Sequence, residues 1–133
     1  MAGGYRGYIF SRPFGGARAP QHVQNLVIRD YAARKGIPFL LSATEYAMPD
    51  CYMILDQLLD AVSSLDGIIL YSMFMLPPDP ARRGMVLDRA LAAGRTLHCA
   101  VEEVVVGSPA EARACEDIFR IRSVMATQSP IAC

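Results

Sequence analysis

Residues Gly67 to Tyr71 read Gly-Ile-Ile-Leu-Tyr, with no polar side chain alternating among the apolar ones. A strand of that kind is buried on both faces, which requires helices on both sides of the sheet and points to parallel strands joined by helical crossovers. Similar short apolar runs occur at Tyr8-Ile9-Phe10, at Ile37-Pro38-Phe39-Leu40-Leu41 and from Thr96 to Val101, the last continued by Val104-Val105-Val106. Segments of helical period separate them. Pro20 to Lys35 carries Val23, Leu26, Val27 and Tyr31 on one face and stops at Gly36. From Pro49, Cys51, Ile54, Leu55, Leu58, Leu59 and Val62 give the cleanest amphipathic pattern. Asp79 and Pro80 form an N-cap and N1 pair for a helix ending at Gly94, and Ser108-Pro109-Ala110-Glu111 is a capping box for a last helix over about 108–125. The tail after Ala126 is expected to be irregular. Strand and helix alternate four times, so the expected fold is a single α/β domain over residues 1–133. It has three layers, a mostly parallel sheet of four to five strands in the order 2-1-3-4, and helices on both faces.

Composition narrows the class further. The chain has 133 residues, 53% of them hydrophobic, enough for one domain that buries roughly two thirds of its unfolded surface without disulfides or a structural metal. No apolar run approaches the ~20 residues of a membrane span, so no membrane partner is expected. Met1 to Arg6 contains no apolar h-region, and a cytoplasmic location follows by default. Thirteen basic residues balance thirteen acidic ones, without the basic stripe that accompanies a nucleic-acid partner. Cys51, Cys99, Cys115 and Cys133 form no C-x-x-C pair and read as reduced thiols. No His/Cys cluster has metal-ligand spacing, and neither a metal nor a cofactor is expected.

The stretch most suited to function is Gly7 to Asn25, GYIFSRPFGGARAPQHVQN. The first strand breaks at Ser11-Arg12-Pro13, crosses Gly15-Gly16 between Arg12 and Arg18, and enters a helix at Pro20. Exposed amides, a helix N-terminus and fixed cations together favour a bound anion. The spacing matches neither dinucleotide nor P-loop fingerprints, and the alternative is a tight connection with solvated arginines. In an open sheet of order 2-1-3-4, ligands bind beyond the carboxyl ends of the first and third strands. This rule gathers Ser11, Arg12, Gly15, Gly16, Glu45, Tyr71 and Ser72, with Glu102 or Glu103 nearby.

Each candidate has a chemical and a plainer reading. Ser11 is a nucleophile beside its anion clamp Arg12, or a hydroxyl closing a loop. His22, in the first helical turn, is a general base or a surface histidine. Glu45 and Tyr46 serve as acid/base and hydroxyl ligand, or solvate a loop. Gly15, Gly16, Arg18, Gln21, Tyr46, Tyr71, Ser72 and Glu102 complete the expected ligand-binding set. Cys51 is a reactive thiol at a helix start or, sharing a face with Ile54 and Leu55, part of the core, and His98 reads as core. Ser72 to Pro78 stays apolar where a loop normally turns polar, either as an exposed Met-rich lip or as a loop packed inward.

Two resemblances arise. The strand ending in Ser11, Gln21-x-x-Gln24, Gln57 to Val62, Asp66-Gly67-Ile68-Ile69 and Ala92 to Leu97 make the order of elements similar to the catalytic domain of resolvase/invertase-type serine recombinases. That resemblance implies a resolvase-like fold and a last helix used for homo-oligomerisation. Those enzymes place arginines in the strand before the nucleophile, before the second helix and in an Asp-Arg-x-x-Arg group after the third strand. The matching regions here are Ile9-Phe10, Asp50-Cys51-Tyr52 and Met73 to Pro77. Phosphoryl transfer through serine needs guanidinium groups on the phosphate, so strand exchange is not expected. Gly7 to Tyr31, Ser42 to Met53 and Ile69 to Pro77 more closely resemble the sporadic carbohydrate cluster proteins of bacterial surface-polysaccharide gene clusters. This implies a small-molecule partner such as a nucleotide sugar or a phosphate, bound by a cytoplasmic protein or enzyme of carbohydrate biosynthesis whose reaction is unknown. The alternative is a degenerate recombinase-like DNA-binding or assembly domain.

Overall fold

The computed structural model describes residues 3–14 and 18–127. Gly15 and Gly16 lie outside them. Five strands, β1 (Tyr5–Ile9), β2 (Phe39–Thr44), β3 (Gly67–Leu70), β4 (Thr96–Cys99) and β5 (Val104–Val106), form one sheet in the order β2-β1-β3-β4-β5. The first four are parallel and β5 runs antiparallel to β4. Four helices accompany them: α1 (Gln21–Lys35), α2 (Met53–Asp60), α3 (Pro80–Ala92) and α4 (Pro109–Thr127). The mixed, mostly parallel α/β architecture is the expected one, with the fifth strand present as an antiparallel edge.

Side-chain alternation splits the core into two halves. Tyr8, Phe10, Ile68, Leu70, Leu97 and Cys99 point to the side covered by α2, α3 and α4. Ile9 and Ile69 point to the other side, where Ile28, Tyr31 and Ala32 of α1 cover them. His98 belongs to the α1 side, 9% exposed, with Nδ1 against Tyr31 Oη at 2.8 Å and Nε2 against Thr96 Oγ1 at 3.2 Å. Burial, and secondarily the charge of Lys35, lowers its pKa.

Several helix ends follow their sequence signals. Asp79 accepts from Arg82 N at 2.9 Å, and Gly36 closes α1 at φ 67°, a conformation that glycine takes without strain. Ser108 Oγ accepts from Glu111 N at 3.2 Å while the Glu111 carboxylate accepts from Gly107 N at 2.8 Å. Other boundaries differ. β2 begins at Phe39 instead of Ile37, because Ile37 N is spent on Ala32 O at the end of α1. It continues through Ser42 and Thr44, since an edge strand tolerates polar residues. α2 begins at Met53 instead of Pro49; Asp50 takes the left-handed φ of 58°, which interrupts any helix there. The apolar Ser72 to Pro78 segment packs inward as a 3-10 turn, with Met73, Met75 and Leu76 buried. Among the described residues, no helix is long and apolar enough to cross a membrane, and no group of three or more His, Cys, Asp or Glu side chains could hold a metal.

Candidate functional site

The carboxyl ends of β1 and β3 open onto a cleft of about 920 Å³. Its floor is Phe10, Phe14 and Tyr52; Phe74, Phe119 and Arg122 face them from the β3 exit and from α4. Gln24 fixes the β1 exit. Its amide accepts from Phe10 N at 2.9 Å and donates to Phe10 O and Ala19 O, both at 2.8 Å, so a fully buried side chain continues the ladder where the strand stops. Arg12 then emerges into a rigid slot. Its guanidinium lies over Phe10 at 4.1 Å and Tyr52 at 5.0 Å, and Nη1 donates to Tyr46 O at 2.7 Å. Nη2 is buried and, among the described residues, has no hydrogen-bond partner. A buried unpaired donor costs about 1–3 kcal/mol, more for a charged group, so the slot holds a cation with unspent hydrogen-bonding capacity. Arg82 stacks on the same Tyr52 ring at 4.7 Å.

The opposite wall is locked by Arg83, only 4% exposed. Its Nε and Nη2 form a bidentate pair with Glu116 at 2.6 and 2.7 Å, and Nη1 donates to Pro77 O and Pro78 O at 3.1 and 2.9 Å. The guanidinium also covers Phe119 at 3.9 Å. Arg83 therefore holds α4 and the proline loop together, with its charge neutralised.

A second, smaller pocket of about 190 Å³ adjoins the cleft and shares Phe14, Phe74 and Arg122 with it. Arg18, Tyr71, Ser72 and Glu102 line it. Ser72 Oγ donates to Glu102 Oε2 at 2.6 Å and accepts from Phe74 N at 3.2 Å, and Glu102 Oε1 accepts from Met73 N at 2.9 Å.

Of the residues singled out from the sequence, Arg12 faces the cleft, and Arg18, Tyr71, Ser72 and Glu102 meet in the pocket. Ser11, Gln21, His22, Glu45 and Tyr46 line neither cavity. Ser11 Oγ makes a long 3.4 Å bond to Glu45 O, while Gln21 and His22 lie exposed at the start of α1. Glu45 is 1% exposed, and its carboxylate accepts from Tyr8 Oη at 2.6 Å, Tyr46 N and Ile54 N at 3.1 Å, and Leu55 N at 3.2 Å. That geometry ties the buried carboxylate to the start of α2. Burial, and then the adjoining carboxylate, raise the Tyr8 pKa far above the usual phenol range. Cys51 Sγ, half-buried, lies 3.7 Å from the same carboxylate. Sequence reasoning passed over Tyr52, Phe119 and Arg122. The i, i+3 spacing of Phe119 and Arg122 on one helix face was the available signal.

Two solved structures share the whole architecture. A resolvase family site-specific recombinase from Streptococcus pneumoniae superposes with a TM-score of 0.63 at 10% identity, covering 93% of this chain and 92% of that one. The N-terminal catalytic domain of TP901-1 integrase gives 0.57 at 12% identity, covering 94% and 99%. The chain shares its fold with these two structures, and the expected resolvase-like α/β architecture is the one present. No family model and no curated protein matches the sequence, so the resemblance to sporadic carbohydrate cluster proteins gains no support from these comparisons.

Proposed function

We propose that this protein binds an anionic, sugar-linked small molecule in the cleft beyond β1 and β3. The observation that carries the reading is Arg12, its guanidinium over Phe10 and Tyr52, with one buried guanidinium nitrogen that has no hydrogen-bond partner among the described residues. An acidic group entering the slot supplies the missing acceptor, and the aromatic lining suits the rest of a small ligand. The sugar-linked part rests on the likeness of Gly7 to Tyr31, Ser42 to Met53 and Ile69 to Pro77 to the carbohydrate cluster proteins. A cytoplasmic role as binding protein or enzyme in surface-carbohydrate assembly accords with that likeness. The test is calorimetry with a panel of nucleotide sugars. Wild type binds at least one member, and Arg12→Ala weakens that binding by about 10- to 100-fold, the worth of one or two charged hydrogen bonds. No binding by wild type to any member refutes the proposal.

A second reading, a recombinase-like DNA-binding or assembly domain without strand exchange, is favoured by the fold shared with the two recombinases. It predicts a mobility shift with duplex DNA that falls away with modest salt. Assembly would use α4, where Ile118, Ile121, Val124 and Met125 are 37–66% exposed. Light scattering of Ile121→Glu against wild type tests it, a smaller species supporting a homo-oligomer and unchanged mass opposing one.

A further inference from the structure

Two guanidinium groups converge on one ring of the cleft. Arg12, from the β1 exit, lies 5.0 Å from the centre of Tyr52, and Arg82, from the first turn of α3, lies 4.7 Å from it. The two guanidinium carbons are therefore within about 10 Å of each other, roughly one Debye length at 0.1 M salt, so their repulsion is only partly screened. Each is held by the ring and by a carbonyl of the segment leading into α2. Arg12 Nη1 donates to Tyr46 O at 2.7 Å and Arg82 Nη1 to Asp50 O at 3.3 Å. Both acceptors are neutral. Farther along the same helix, Arg83 is neutralised by Glu116, and Arg89 by Asp56 and Asp60. Among the described residues, neither Arg12 nor Arg82 forms an ion pair with a carboxylate. Arg82 stands at the cleft rim, since both groups it touches, Tyr52 and Asp50, line the cleft. Asp50 is the nearby acid, and what it gives Arg82 is its backbone oxygen.

We infer that the acidic part of the ligand is a diphosphate, one phosphate meeting Arg12 and the other Arg82. Two linked phosphates let each guanidinium take its own anionic acceptor, whereas one phosphate or one carboxylate satisfies the first site and leaves the second cation unanswered. The ring and the carbonyls already hold both side chains, so little rotamer freedom is lost when the second contact forms. Repulsion between the two cations is relieved at the same time. The inference rests on the proposed anion site at Arg12 and adds Arg82 as its second point. Free nucleoside diphosphates and diphosphate-linked sugars share this chemistry.

The experiment is calorimetry on wild type and Arg82→Gln with matched probes: inorganic phosphate against pyrophosphate, and UMP against UDP and UDP-glucose. Arg82 is exposed, and glutamine is a good helix former, so the substitution makes little demand on the core. Wild type is expected to bind pyrophosphate and UDP at least about tenfold more tightly than phosphate and UMP, as one charged hydrogen bond provides. Arg82→Gln is expected to lose that preference while its affinity for UMP stays within about twofold of wild type, a split that a merely structural role of Arg82 does not produce. UDP-glucose bound as tightly as UDP assigns the site to a diphosphate esterified at both ends; UDP-glucose bound only as well as UMP assigns it to a terminal diphosphate. Equal affinity of wild type for the one- and two-phosphate probes overturns the inference and leaves the anion site standing. So does a preference that survives in Arg82→Gln, or an equal weakening of UMP and UDP in a variant that melts within a few degrees of wild type. Absence of binding by wild type to every probe overturns both.

Discussion

Arg83 makes four hydrogen bonds from a nearly sealed position, and its value lies in being completely paired. Removing it strands Glu116 and two carbonyls. Arg83→Ala is expected to cost about 3 kcal/mol, the lower end for breaking a buried pair, because Glu116 retains 29% exposure. Urea denaturation measures it; a loss below about 1 kcal/mol would mean the pair contributes no more than a surface one. His98 gives a pH dependence of known sign. Its folded-state pKa is lowered from 6.5, so as pH falls through 6.5 the unfolded chain takes up a proton that the native state resists, and stability falls. His98→Gln, which keeps hydrogen-bonding groups without titrating, should show a flatter urea midpoint between about pH 7.5 and 5.5 than wild type. Parallel curves would assign the slope elsewhere. At this scale the sequence was only partly legible. Arg12, Tyr71, Ser72 and Glu102 could be placed near one sheet edge from topology. The engagement of Glu45 by Tyr8 and the start of α2 could not, since 37 residues separate the hydrogen-bonded pair and neither has a local marker.

Elements were legible where their ends carry their own chemistry and obscure where distant groups set them. Asp79-Pro80 and Ser108 to Glu111 announce helices that begin at Pro80 and Pro109. The start of α2 is set by Glu45, which accepts from Ile54 N and Leu55 N, so the amphipathic pattern from Cys51 overstated the helix. β3 imposes another nonlocal constraint. A Cβ on Gly67 would run into the Thr96 carbonyl oxygen and come within 2.7 Å of Tyr5 Cε2, both across neighbouring strands. Gly67→Ala therefore has to shift backbone at the centre of the sheet. It is expected to lower stability by about 1–3 kcal/mol, the usual cost of overpacking. The measurement is the denaturation midpoint; an unchanged midpoint would show that β3 and β4 can part without penalty.

For the molecule as a whole, apolar strand runs and their alternation with helices determined the topology, including the switch point between β1 and β3 where the cleft lies. The cleft's outer wall was not legible. Phe119 and Arg122 belong to a helix that also carries apolar residues on its exposed side, so the pattern alone does not say which face turns inward. Equal numbers of acidic and basic residues make a global prediction: light scattering should show greatest self-association near neutral pH, receding as pH moves away and net charge grows. A flat profile would indicate that charge does not govern contact between copies.

The antiparallel strand β5 has a further effect. After a parallel strand a helix normally starts at the carboxyl edge and descends; here the chain has already turned back, so α4 starts beside Thr96 and climbs toward the cleft. Residues from one reversal of direction thus become one jaw of a clamp. Occupancy and the seating of that helix are then thermodynamically linked: whatever fills the clamp shields α4 from a protease, and whatever levers α4 away empties it.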